Sequence, residues 1–443
     1  MRRSIFLSLL LAATLLRIAA LPLPGTEDVG VWRVWSYAGS QDVLGVYGVG
    51  GTPPARPRLE FRGIYTTVDY PPVAIYEMAI VGDAFRAVFP EYPNDWRLTA
   101  AVKLPGLLAG LGITACLYLV VLRLTGSVTH ARWAALAWWA NPAAILNAEV
   151  LGYLDPLMIL PALLALVCLH LDRPIWAGAL YAVALLTKPQ ALLLGPAMLI
   201  ATWQTGGLRR LCTTGLAGAA WLGVGVLPYV LIGALPNMLQ AFGSFAARRD
   251  IVSAYAANLW WVATWLARGV NMIPEFGFPG AYFEPVARIL AISSWTEMGL
   301  PNPRPFGTAL VALAVVLLLV RGWRAQRLDQ HAAIGALTVH AFFVFGVAVH
   351  EHHMMLAVPL LVLAAGLNPV FRPIAWAVSA VVALNLNLFY GVGRGLGWAV
   401  PRMLTPIDLS VLLALANIAL LVWHARTAWT ALAAEPAARP QAA

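Results

Sequence analysis

The feature that most constrains this chain is the recurrence of apolar runs close to twenty residues long, separated by short links that carry arginine. A helix needs about 20 mainly apolar residues to cross a bilayer. Candidate runs fall near 4–21, 99–122, 131–148, 154–171, 174–188, 189–204, 211–232, 306–321, 331–349, 353–367, 371–389 and 406–424, which predicts about 11–13 spans. Backbone polar groups in lipid must be satisfied within the segment, so the spans are helices. The expected fold class is an all-α, polytopic transmembrane bundle. Composition agrees: 60% of residues are hydrophobic and only 11% charged, against about 25% charged in a soluble domain.

The charge pattern orients the bundle. Formal net charge is +9, but the basic residues sit beside apolar runs, where they set topology and meet anionic lipid head groups. Membrane lipid is therefore the expected partner, and nucleic acid is not. One apolar stretch, 72–89, contains Glu77, Asp83 and Arg86, each costly at a bilayer centre. If it does not span, Arg2, Arg3, Arg123, Arg132, Arg173, Arg209, Arg210, Arg321, Arg324, Arg327, Arg372 and Arg426 share one side. The short loops opposite then hold only Lys188, Arg394 and Arg402, a good positive-inside pattern. The stretch 72–89 is therefore expected to be re-entrant or interfacial on the outer side.

This predicts a first span over 1–21, an outer loop with interfacial helices over 22–98 and a transmembrane core over 99–232. A second outer loop over 233–305, a C-terminal transmembrane module over 306–424 and a disordered cytoplasmic tail over 425–443 complete the division. The run 4–21 lacks a small-x-small cleavage site at Leu21-Pro22-Leu23-Pro24 and reads as an uncleaved span. Cys116, Cys168 and Cys212 have no metal or disulfide spacing.

Three motifs fall on the outer side. Glu27 and Asp28 follow the first span, with Trp32 and Trp35 on one helix face beyond them. A carboxylate there can take a proton from a hydroxyl, or can simply stabilise a helix start. Asp69-Tyr70-Pro71-Pro72 leads into the 72–89 helix, the prolines setting an extended approach. His350-Glu351-His352-His353 lies at a span end. The H-E-x-x-H zinc spacing is absent from it, so a divalent metal is possible there but not indicated, and no cofactor is required. Hydrogen bonding to phosphate is the expected role.

In combination these elements resemble the outer-loop pattern of the Alg6/Alg8-type dolichyl-phosphate-glucose glucosyltransferases and their bacterial relatives, within the membrane-embedded GT-C glycosyltransferases. Asp28 and Trp35 match the D-x6-W element around that family's catalytic base, Asp69–Pro72 its D-Y-P-P, and His350-Glu351-His352 its H-E-K, with histidine in place of lysine. Gly152-Tyr153-Leu154-Asp155 resembles a G-Q-x-D turn of bacterial relatives, with Tyr153 where a more polar residue stands. Thr187-Lys188-Pro189-Gln190 and Ser253–Trp261 are similar to two further segments of that group.

The resemblance implies GT-C-like outer loops and transfer of a hexose or similar sugar from a polyprenyl-phosphate donor to a glycan, lipid or protein acceptor. It implies inversion, with Asp28 as base, and a site facing the periplasm of a bacterial inner membrane or a lumen. Substrate contacts are expected from Glu27, Trp35, Asp69, Tyr70, Asp155, Lys188, Gln190, Arg248, Arg249, His350, Glu351 and His353. The rival reading is a transporter or flippase of lipid-linked sugars. It fits the spans equally well, but the chain lacks the repeated halves common in transporters.

Overall fold

The structure, a computed structural model, describes residues 2–49, 57–246, 250–289, 293–393, 395–397, 399–404 and 406–433. Arg248, Arg249, Arg394 and the tail beyond Ala433 lie outside the described residues.

Helix α1 (Arg3–Ala20) is followed by α2 (Glu27–Asp42), a short antiparallel hairpin of β1 (Leu59–Phe61) and β2 (Ile64–Thr66), and α3 (Pro72–Val88). Then come α4 (Trp96–Thr125), α5 (Val128–Trp139), α6 (Pro142–Ile145), α7 (Asp155–His170), α8 (Pro174–Thr187), α9 (Gly195–Leu231) and α10 (Leu235–Ala246). The chain ends with α11 (Leu259–Phe283), α12 (Arg304–Gly322), α13 (Leu328–Phe345), α14 (Ala357–Leu367), α15 (Arg372–Tyr390) and α16 (Leu409–Ala433). The fold is all-α apart from the hairpin.

Local chemistry sets the helix boundaries. Asp95 caps α4 by accepting from the Arg97 backbone N–H, and Gly126 ends it at φ 65°, a conformation that suits glycine. Asn258 caps α11 in the same way through the Trp261 N–H.

Among the described residues seven helical stretches are long and apolar enough to cross a membrane, and α7, α8 and α14 are apolar but shorter. The chain is therefore an integral membrane protein. The expected runs 189–204 and 211–232 are one stretch, Pro189–Leu231, kinked where Gly206 and Gly207 leave helical geometry. The run 131–148 is not one helix. Asn141-Pro142 breaks it into α5, α6 and a π-helical turn over Leu146–Val150, because proline cannot donate to the preceding turn. Helix α3 is not among the helices able to cross.

Burial separates core from lipid face. Helices α13 and α14 are buried along nearly their whole length. Leu11 and Leu15 of α1, Leu216 and Val224 of α9 and Leu313 and Val320 of α12 are exposed. Apolar faces this large have only hydrocarbon as a favourable solvent.

A buried polar knot braces the end of the bundle that carries the site. Arg17 of α1 pairs with Glu149 at 2.6 Å and donates to the Trp139 carbonyl at 2.8 Å. Lys103 of α4 donates to the carbonyls of Leu23, Glu149 and Val150 at 2.6, 2.9 and 2.9 Å. The carbonyls freed by the π-turn and by the end of α1 are thus satisfied by one cation, as buried backbone groups must be.

Candidate active site

The turn after α1 brings Asp28 into place. Gly25 has φ 72°, and a β-carbon there would lie 2.5 Å from Val29 Cγ2 and 2.7 Å from the Leu151 carbonyl oxygen. The Thr26 N–H then donates to that same Leu151 oxygen at 3.0 Å. Trp32 Nε1 donates to the Gly152 carbonyl at 2.8 Å. Helix α2 is thereby fastened to the loop ahead of α7, with Glu27 and Asp28 in its first turn.

These residues open on a cavity of about 720 Å³. It draws on the links after α1, before α3, before α7, after α8, before α11, between α13 and α14, and after α15. Of the residues expected to act on substrate, Glu27, Asp28, Asp69, Tyr70, Gln190, His350, Glu351 and His353 line it. Trp35, Asp155 and Lys188 do not. Trp35 is fully buried, in edge contact with Trp32 and Tyr70 at 4.9 and 5.5 Å. Lys188 forms a buried ion pair with Asp155, which also accepts from Asn147 Nδ2 at 2.8 Å. Lys188 lies behind the wall, its Nζ 5.7 Å from the Tyr70 ring centroid.

The His-Glu-His-His segment is a tight polar cluster. Glu351 Oε1 accepts from the Tyr153 hydroxyl at 2.5 Å and from His352 Nδ1 at 3.1 Å. His350 Nδ1 lies 3.9 Å from the other Glu351 oxygen. Gln190 Nε2 donates to His353 Nε2 at 2.9 Å. Burial alone pushes the Glu351 carboxyl up, but the hydrogen bond and charge of His352, with His350 and the Tyr153 hydroxyl, hold it down at about 2. It is therefore an anion that anchors the cluster. His352 stacks on Tyr153 with centroids 4.2 Å apart, and its Nε2, buried in the same wall, has no hydrogen-bond partner among the described residues.

Asp28 is half-buried at the edge of this cluster. Burial raises its carboxyl from the ordinary 3.8 to about 6, His352 and Lys188 pull it down, and Glu351 and Asp69 push it up. A carboxylate near 6 is ionised at neutral pH yet basic enough to accept a proton in a transition state. Electrostatic coupling thus joins the first loop to the His-Glu-His-His segment, although more than 300 residues separate them in the sequence.

Sequence reasoning missed Trp32, Thr66, Tyr255, Phe389, Tyr390 and the glycines 391, 393, 395 and 397 as lining groups, and treated Tyr153 and His352 only as departures from a pattern. The glycine run left a signal, since glycine at every second position after an apolar span has no packing value of its own. All four glycines have positive φ, and a β-carbon on Gly393 would lie 3.1 Å from the Gly25 backbone nitrogen. The loop after α15 therefore lies directly against the turn that positions Asp28. Among the described residues no group of three or more His, Cys, Asp or Glu is arranged to hold a metal ion.

Helices able to cross a bilayer and an acidic, imidazole- and phenol-lined cavity define an integral membrane protein with a polar cavity at the ends of its helices. The model of the ALG6, ALG8 glycosyltransferase family matches residues 153–392, more than half of the chain, and the chain belongs to that family: it is a membrane glycosyltransferase. No curated protein matches the sequence. The matched stretch contains Tyr153, Asp155, Lys188, Gln190, Tyr255 and the His-Glu-His-His segment, while Asp28 and Asp69 precede it.

Proposed function

We propose that this glycosyltransferase moves a hexose or similar sugar from a polyprenyl-phosphate donor to a hydroxyl of a glycan, lipid or protein acceptor, with inversion. Asp28 takes the acceptor proton as the acceptor oxygen bonds to the anomeric carbon. The bond from that carbon to the phosphate oxygen breaks, and polyprenyl phosphate leaves with the electron pair. His350, His352 and His353, anchored through ionised Glu351, receive the departing phosphate by hydrogen bonding. Lys188 acts from behind the wall by holding Asp155 and tempering Asp28. Glu27, Asp69, Tyr70 and Gln190 contact the sugar or acceptor. No cofactor enters this reading.

The observation that carries it is one cavity with a carboxylate near pKa 6 beside a cluster of imidazoles held by an ionised glutamate. Base and leaving-group site must share a pocket for such a displacement, and a single cavity lined by both Asp28 and the three histidines supports this reading. The clustering of arginines at the link ends away from the cavity supports a site on the outer face, periplasmic if the membrane is a bacterial inner membrane.

The test offers purified protein in nanodiscs several polyprenyl-phosphate sugars with candidate acceptors and analyses products by mass spectrometry. A new glycosidic bond of inverted configuration is expected from wild type and not from Asp28→Asn. Movement of lipid-linked sugar across a bilayer without a new bond would identify a flippase instead.

A further inference from the structure

The Ser253–Trp261 segment contains a backbone outlier. Tyr255 has φ 61°, a left-handed conformation in which a β-carbon is crowded and which is rare outside glycine, asparagine and aspartate. Such strain persists only where the surroundings over-determine it.

The surroundings are two buried asparagines from different helices. Asn385 of α15 donates from Nδ2 to the Tyr255 carbonyl at 3.2 Å and accepts at Oδ1 from the Ala257 N–H at 2.8 Å. Asn417 of α16 donates to the Ala257 carbonyl at 2.9 Å. Both peptide groups of Ala257 are thus held by side chains rooted in the bundle. The Ala254 N–H donates to the Val349 carbonyl at 3.0 Å, and Tyr255 bridges to His350. Asn385 Nδ2 also donates to the Glu351 carbonyl at 3.2 Å, so one amide registers Tyr255 against the His-Glu-His-His segment.

This scaffold leaves the Tyr255 ring half-exposed in the cavity, beside Phe389 at 5.0 Å and Tyr390 at 6.2 Å. If only the turn mattered, glycine would make it without strain. The chain instead carries a large ring with a polar tip in a left-handed backbone geometry that disfavours it, at the wall of the cavity that also holds Asp28 and the histidines.

We propose that Tyr255 contacts the transferred sugar, its ring lying against the apolar face of the hexose, and that Asn385 and Asn417 are its positioning residues. This rests on the reading of the cavity as a sugar-transfer site. An aromatic ring supplies a rigid apolar surface at little entropic cost and a hydroxyl at its edge, which matches a sugar ring with one C–H face and a rim of hydroxyls.

The test compares wild type, Tyr255→Gly, Tyr255→Asn and Tyr255→Phe in nanodiscs, measuring kcat and KM for transfer from a polyprenyl-phosphate hexose, with thermal unfolding alongside. Glycine and asparagine both accommodate the left-handed backbone, so at least one folded variant without the ring is available. Both should lose about tenfold or more in kcat/KM while unfolding as cooperatively as wild type, and Tyr255→Phe should stay within about threefold. Asn385→Ala should lower kcat/KM in wild type and by a smaller factor in Tyr255→Gly, where only its hold on the Glu351 carbonyl and the Ala257 N–H remains to be lost. Wild-type kcat/KM in a folded glycine or asparagine variant overturns the proposal. So does a phenylalanine variant as weak as glycine. A wild type that transfers no sugar overturns the function itself, and this proposal with it.

Discussion

Replacing Asp28 with asparagine should make the protein inactive and more stable at once. The structure holds this carboxyl at about 6 instead of 3.8, because burial disfavours its charged form. Between those two values the native state binds a proton that the unfolded chain has released. Stability referred to this group is therefore fully present below about pH 4 and is lost as pH rises through 6. At about 1.4 kcal/mol per pKa unit, the ionised carboxylate costs the fold on the order of 2–3 kcal/mol at neutral pH. Asparagine keeps the shape and removes the charge, so Asp28→Asn should raise the unfolding midpoint at pH 7.5, and the gain should vanish near pH 4. The same variant should lose about 10²–10⁴ in transfer rate, the usual contribution of a general base. Wild-type kcat/KM should fall with an acid limb centred near 6, dropping to roughly one-tenth by pH 5. The assays are nanodisc thermal unfolding at the two pH values and a pH–rate profile. An Asp28→Asn protein that is less stable at pH 7.5, or an acid limb near 4 with activity intact, would refute the reasoning.

Three further outcomes follow from the same geometry. His352→Gln removes the largest charge that lowers Asp28, so the acid limb of the pH–rate profile should move upward; a downward move would contradict the coupling. Lys188→Met leaves Asp155 buried without its ion-pair partner, which should cost about 3–5 kcal/mol, and adding Asp155→Asn should recover part of the folded yield on size-exclusion chromatography. Gly25→Ala places a β-carbon 2.5 Å from Val29 and 2.7 Å from the Leu151 oxygen in a left-handed turn. It should lower both thermal stability and transfer, with at least about 1–3 kcal/mol of strain read from unfolding.

Hydropathy along the chain is enough to settle the class of fold. Apolar runs of bilayer length leave a chain no option but helices, since lipid offers the backbone no hydrogen bonds. The sequence also made Asp28, Asp69 and the His-Glu-His-His segment legible as candidates, because their residue types and spacing are local properties. Division of 131–148 was less legible, since hydropathy is blind to what one Asn-Pro pair does to helix geometry. Which polar groups meet depends on how the helices pack. Lys188 and Asp155 both read as substrate contacts, but a lysine and an aspartate 33 residues apart become an ion pair only when α7 and α8 pack together. Tyr153 and His352 join the site through a stack between residues 199 positions apart in the sequence. Burial, which raises Asp28 and brings Tyr255 into the cavity, is a property of all the helices together, so no stretch of sequence carries it alone.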